Sequence, residues 1–91
     1  MTLISMSIEE VHDYMEKNNI EVFESFTEDD DVYWGFTGKT GFSTFDTPMN
    51  EDKAKYASVL FYKLVKEHGI CFPDAEYLAQ AFVAKYKVMN H

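Results

Sequence analysis

Between residues 8 and 18 apolar side chains return every three or four positions, Ile8, Val11, Tyr14 and Met15, with Glu9, Glu10, Asp13 and Glu16 between them. That period puts the apolar set on one stripe of a helix and leaves the other sides acidic. Ser7 and Glu10 have the spacing of a capping box, in which each side chain satisfies a backbone donor at the helix start. Glu9 and Glu10 also suit the positive N-terminal end. The pattern predicts a helix from about Ile8 to Asn18.

From Ile20 to Thr47 the texture changes to aromatic and β-branched residues, interrupted by two turn signals, Glu28-Asp29-Asp30-Asp31 and Gly38-Lys39-Thr40-Gly41. This reads as a three-stranded antiparallel meander. With an even number of residues in each turn, alternation places Phe23, Val32, Trp34, Phe36 and Phe45 on one face and Val22, Phe26, Tyr33 and Phe42 on the other. Both faces are then apolar, whereas two amphipathic helices readily cover only one side of so small a sheet. A one-residue slip would carry a whole strand's side chains across.

Pro48 ends the sheet region, and Asn50 is placed to cap a second helix with Glu51 and Asp52 in its first turn. Ala57, Leu60, Phe61, Leu64, Val65 and His68 keep the helical repeat, and Gly69 is a natural stop. After the connector Ile70-Cys71-Phe72-Pro73, Asp74 is expected to cap a third helix with Ala75, Leu78, Ala79, Phe82, Val83 and Tyr86 on one stripe. So short a connection favours an antiparallel pair, with Leu60, Phe61, Leu64, Leu78, Phe82 and Val83 buried together. The fold class is α+β: an N-terminal helix, a three-stranded antiparallel β-meander, then two C-terminal helices packed on the sheet. One domain, 1–91, fits the length.

Composition supports a folded core, since 46% of the residues are hydrophobic and 16% aromatic, too rich for a disordered acidic tail. The N-terminal Met1-Thr2-Leu3-Ile4-Ser5-Met6 carries no basic leader and no long apolar run. A single cysteine, Cys71, makes no internal disulfide, which agrees with a reducing compartment. A soluble, cytoplasmic protein is expected.

Charge divides the chain. Residues 1–50 hold eleven Asp and Glu against two Lys, and residues 51–91 hold five against six. The net charge is −8 and there is no arginine, so the side chain best shaped to grip phosphate is missing. Direct contact with nucleic acid or an anionic membrane is disfavoured. The expected partner is a basic protein surface.

Motifs for chemistry fail on spacing. Gly38-Lys39-Thr40 resembles the tail of a phosphate loop, but Tyr33 stands where the loop needs glycine, and a hairpin turn with glycines at positive φ is the better reading. A calcium loop starting at Asp29 would need an acidic or amide residue and then glycine where Tyr33 and Trp34 stand. His12 and Glu16 lie four apart on one helix, two ligands without a second pair. His68 suits a helix C-terminus, and His91 is terminal. Cys71, between Ile70 and Phe72, reads as a small buried core residue rather than a nucleophile. The aromatic strands lack the basic groove of a base-stacking platform. No catalytic, cofactor or metal residues are assigned.

In size and charge the chain is similar to small acidic inhibitors that imitate DNA. The leading expectation is a non-enzymatic binding protein, of a kind that suits a phage or mobile element, occupying a basic surface of a nucleic-acid-handling protein. Glu9, Asp13, Glu16, Glu28, Asp29, Asp30 and Asp31 would steer the encounter, and an exposed ring such as Tyr33 would supply the anchor. The alternative is a self-associating structural or adaptor protein, a homodimer using the uncovered sheet face or the Tyr56 and Val59 side of the second helix.

Overall fold

The computed structural model describes residues 6–39 and 41–85. The order is α1 (Ile8–Lys17), β1 (Glu21–Glu28), β2 (Asp31–Gly38), β3 (Gly41–Thr44), α2 (Glu51–His68) and α3 (Phe72–Lys85). The strands form one antiparallel sheet with β2 in the centre, and the C-terminal helices pack on it. This is the α+β arrangement expected.

Helix α1 begins as its sequence dictates. The Ser7 hydroxyl accepts the Glu10 N–H at 3.1 Å, and the Glu10 carboxylate accepts the Ser7 N–H at 2.9 Å. Val11 and Met15 are buried, and α1 leans on α2. Asn19, at φ 55°, then reverses the chain into β1, a conformation asparagine tolerates better than most residues.

Helix α2 is the spine of the core. The Asn50 side chain accepts the Lys53 N–H at 2.8 Å, and Gly69 closes the helix at φ 67°. Tyr56, Ala57, Ser58, Val59, Leu60, Phe61 and Tyr62 are all buried, more than one stripe, because α1, α3 and the sheet contact the helix from different sides. Phe36 of β2 reaches into this layer, with ring centroids 5.1 Å from Phe45, 4.9 Å from Phe61 and 6.1 Å from Tyr62.

The faces of the sheet correct the parity expectation. Glu28 pairs with Asp31 and Gly38 with Gly41, so both turns have the even length assumed. Ser25, however, is an extra residue between Glu24, which pairs with Trp34, and Phe26, which pairs with Tyr33. Such a bulge shifts the alternation by one. Val22, opposite Phe36, therefore packs on the core, while Phe23 lies over Gly35 on the open face with Phe26, Tyr33 and Phe42.

Three expectations for the last helix change as well. It starts at Phe72, so Asp74 lies within its first turn rather than capping it. Cys71 is exposed rather than buried; its carbonyl accepts the Ala75 N–H at 2.8 Å, which places it outside the helix pair. Phe82 is 37% exposed, and Ala75, Ala79, Gln80 and Val83 take the inward side, with Leu78 half-buried. The cause is polar. The Gln80 amide oxygen accepts the N–H groups of Asp46 at 2.6 Å and Thr47 at 2.9 Å, and satisfying these donors turns Phe82 outward. Tyr86 and His91 lie outside the described residues.

Gly38 and Gly41 have different duties. Gly41 sits at φ 109°, as a turn glycine should. At Gly38 a Cβ would overlap the Tyr62 hydroxyl, so this glycine makes room for a buried ring. Thr40 lies outside the described residues.

Candidate functional site

The β1–β2 connection is tighter than the acidic run implies. β1 continues through Glu28 and β2 resumes at Asp31, leaving Asp29 at φ 53° and Asp30 at φ 71° as the central pair. Two positive φ values match a type I′ hairpin, whose twist suits the flanking strands. Aspartate is enriched among the non-glycine residues that enter this region. The turn holds its carboxylates exposed.

Beyond β3 the chain returns along β2. The Phe45 N–H donates to Trp34 O at 2.9 Å, and the Met49 N–H donates to Val32 O at 3.0 Å. These two bonds bring the start of α2 beside the hairpin. A groove of about 490 Å³ results, lined by Glu24, Asp30, Asp31 and Glu51 over a floor that includes Val32, Trp34, Pro48 and Met49. Four carboxylates thus converge from three chain segments. Glu51 has a cation of its own, Lys55 at 3.4 Å. Among the described residues no lysine lies within ion-pair distance of Glu24, Asp30 or Asp31.

Trp34, in the groove floor, keeps its indole nitrogen enclosed. Its ring is about nine-tenths buried, and its indole N–H has no acceptor among the described residues. A buried indole N–H usually finds a partner.

Of the residues singled out in the sequence, only Asp30 and Asp31 line this groove. Glu28 and Asp29 flank it on the exposed hairpin end. Glu9, Asp13 and Glu16 form an exposed stripe on α1, whose inward residues Val11 and Met15 are buried; they belong to a separate element. Tyr33 points to the opposite face of the sheet and stacks on Phe26, with centroids 4.4 Å apart and planes 6° from parallel. Glu24, Glu51 and Trp34 were not anticipated. Glu51 had a sufficient local explanation in the helix dipole, and only the β2 pairing of Met49 reveals the second.

The remaining candidates stay apart. His12 Nε2 lies 3.4 Å from Lys55 Nζ, and His68 is exposed in the last turn of α2. Among the described residues no three His, Cys, Asp or Glu side chains gather as a metal site would require, and no helix is long and apolar enough to cross a membrane. Tyr56 and Val59 are buried, at 3% and 1% exposure, which removes the helix-face contact considered for self-association. No protein-family model, curated protein or solved structure matches this chain.

Proposed function

We propose that this chain is a small acidic, non-enzymatic binding protein whose hairpin groove receives lysine or arginine side chains of a protein partner. A basic surface that a nucleic-acid-handling protein presents to phosphate is the kind of partner it fits, and occupying that surface would inhibit it. The observation carrying this reading is the convergence of Glu24, Asp30 and Asp31 on one groove without a paired lysine among the described residues. Exposed carboxylates around a partly apolar hollow give it a negative potential that complements an incoming cation. The outer charges, Glu9, Asp13, Glu16, Glu28 and Asp29, contribute to the encounter rate through the long-range field.

The test is capture of partners from lysate at low and high salt, followed by association rates for Asp29, Asp30 and Asp31 changed to Asn. Asparagine keeps the turn's size and tolerates positive φ. The triple variant is expected to associate about tenfold more slowly and with a shallower salt dependence, since steering charges act mainly on the on-rate. Wild-type rates with an unchanged salt slope would reduce the hairpin to a solvated loop.

A second reading is favoured by the open sheet face, where Phe23, Phe26 and Phe42 are 38%, 50% and 76% exposed. Here the chain self-associates through this face. Light scattering over a concentration series separates the readings: a monomer throughout defeats self-association.

A further inference from the structure

The two edges of the sheet differ. On the β3 side the chain after Thr44 continues along β2 through the Phe45 and Met49 bonds, and Gln80 of α3 holds Asp46 and Thr47 from outside. Strand β1, on the other edge, runs for eight residues and pairs with β2 alone among the described strands. The direction of its backbone groups follows from β2. Val32 O and Trp34 O accept bonds from Met49 and Phe45, so alternation turns Tyr33, Gly35 and Thr37 toward β1. Their partners Phe26, Phe23 and Glu21 face inward to β2, whereas Val22, Glu24 and Thr27, opposite Phe36, Trp34 and Val32, direct their N–H and C=O groups outward. Among the described residues no backbone group beyond the edge pairs with them.

The side chains of this edge have an order. On the open face Glu21, Phe23, Phe26 and Glu28 follow one another as acid, ring, ring, acid, all exposed. On the other face Glu24 stands between Val22 and Thr27 and also lines the acidic groove. Among the described residues no lysine lies within ion-pair distance of Glu21, Glu24 or Glu28. A second copy is a poor occupant: pairing the whole of β1 with itself in antiparallel register sets Glu21 opposite Glu28 at both ends, and like charges directly opposite destabilise a strand pair. Carboxylates alone would suffice to guard a free edge. The two exposed rings between them add an apolar centre that a guard does not need.

We propose that the free edge of β1 receives an extended basic segment of the protein partner, which adds to the sheet as a fourth, antiparallel strand. This rests on the reading of a basic partner and adds the form in which it is held. Main-chain bonds to Val22, Glu24 and Thr27 give such a strand its affinity, and alternate side chains give it specificity. The Ser25 bulge sets the count: seven residues of β2, Asp31 to Thr37, already match the eight of β1, and the added strand does the same. Its required pattern is basic residues opposite Glu21 and Glu28, apolar ones opposite Phe23 and Phe26, and a basic one opposite Glu24, where the edge runs into the groove.

The probe is the end-blocked peptide Lys-Thr-Val-Lys-Val-Thr-Lys, which carries that pattern with its threonines opposite Val22 and Thr27. It is titrated into the full chain while amide resonances and hydrogen exchange are recorded. Saturable binding is expected, with exchange at the Val22, Glu24 and Thr27 amides slowed about tenfold at saturation. A second peptide, N-methylated on both threonines, loses two backbone donors and keeps every charge; it should bind about tenfold more weakly. Glu21→Gln combined with Glu28→Gln, at exposed positions, should weaken the first peptide and flatten its salt dependence. Equal binding of the two peptides, with shifts confined to Asp30, Asp31 and Glu51, would overturn strand addition and leave the groove reading intact. Protection of the β1 amides, in a chain whose Asp29, Asp30 and Asp31 to Asn variant associates at the wild-type rate, would uphold strand addition and defeat the groove. No saturable binding of the first peptide would overturn the proposal. Protection of the same amides that grows with protein concentration in the absence of peptide would also overturn it, by giving the edge to a second copy.

Discussion

The two faces of the sheet are both aromatic and have opposite fates. Beneath α2, Trp34, Phe36 and Phe45 are buried, and the rings of Phe36, Phe61 and Tyr62 interlock at centroid distances of 4.9 to 6.1 Å. On the other side Phe23, Phe26 and Phe42 are exposed beside Tyr33. Hydrophobicity does not distinguish these sets. Coverage does: the described helices lie on one side, and the Ser25 bulge decides which β1 rings share it.

The largest expected difference is between single rings on the two faces. Phe36→Ala removes a fully buried ring and should cost about 3–5 kcal/mol, a large part of the roughly 5–15 kcal/mol that holds a typical domain together. Phe42→Ala should cost less than about 0.5 kcal/mol, as surface changes away from special features usually do. Urea unfolding of both variants decides it. Comparable losses would mean that the outer face is also covered in solution.

How much of this was legible follows from the kind of signal each residue gives. The capping box at Ser7 and Glu10, the Asn50 cap and the Gly69 stop are local chemistry, and each appears in the structure as read. The acidic turn was legible for the same reason, because charge density needs no tertiary context. Ser25 was not, since a bulged serine looks like any other strand residue and its effect appears only in pairing with β2. Gln80 is similar: nothing in an apolar period says that an amide will take two backbone donors from the chain after β3. The groove needed both levels. Asp30 and Asp31 announce themselves, whereas Glu24 and Glu51 meet them only because Met49 bonds to Val32. Glu76 shows the limit of counting charges, for it lies in the nearly neutral half and yet has an acidic neighbour and, among the described residues, no lysine at ion-pair distance.

Glycine substitutions sharpen the comparison at an intermediate scale. Gly38→Ala would drive a methyl group into the Tyr62 hydroxyl, and Tyr62 is 1% exposed, so neither group has room to yield. A loss of about 1–3 kcal/mol is expected, as for other overpacked sites. At Gly35 the added carbon would meet the Phe23 ring at 2.7 Å and the Ser43 carbonyl oxygen at 2.9 Å. The Phe23 ring borders solvent and can swing aside, leaving the carbonyl as the main obstacle. Gly35→Ala should fall at the lower end of the same range. For a domain of this size each kcal/mol moves the melting temperature by roughly 4–8 °C, so a thermal scan resolves the order. A larger loss at Gly35 would show that the Phe23 ring is held in place by something beyond the described residues.

The smallest expected effect concerns the pair that organises the open face. Phe26 and Tyr33 are cross-strand neighbours whose rings stack at 4.4 Å with nearly parallel planes. Such pairs contribute roughly 0.5–1.5 kcal/mol beyond the area they bury. Solvent reaches Phe26, which is 50% exposed, so a coupling of about 0.5 kcal/mol is expected from a double-mutant cycle of Phe26→Ala and Tyr33→Ala. The cycle should be measured at two protein concentrations about a hundredfold apart. A protein that stays monomeric gives the same stability and coupling at both, because nothing binds the native state preferentially. If a second copy covers the face, mass action adds stability at the higher concentration, and both single variants lose that increment along with their stacking. A coupling that grows with concentration would therefore move the function toward self-association. A constant one leaves the rings available to a different partner and keeps the acidic groove as the leading site.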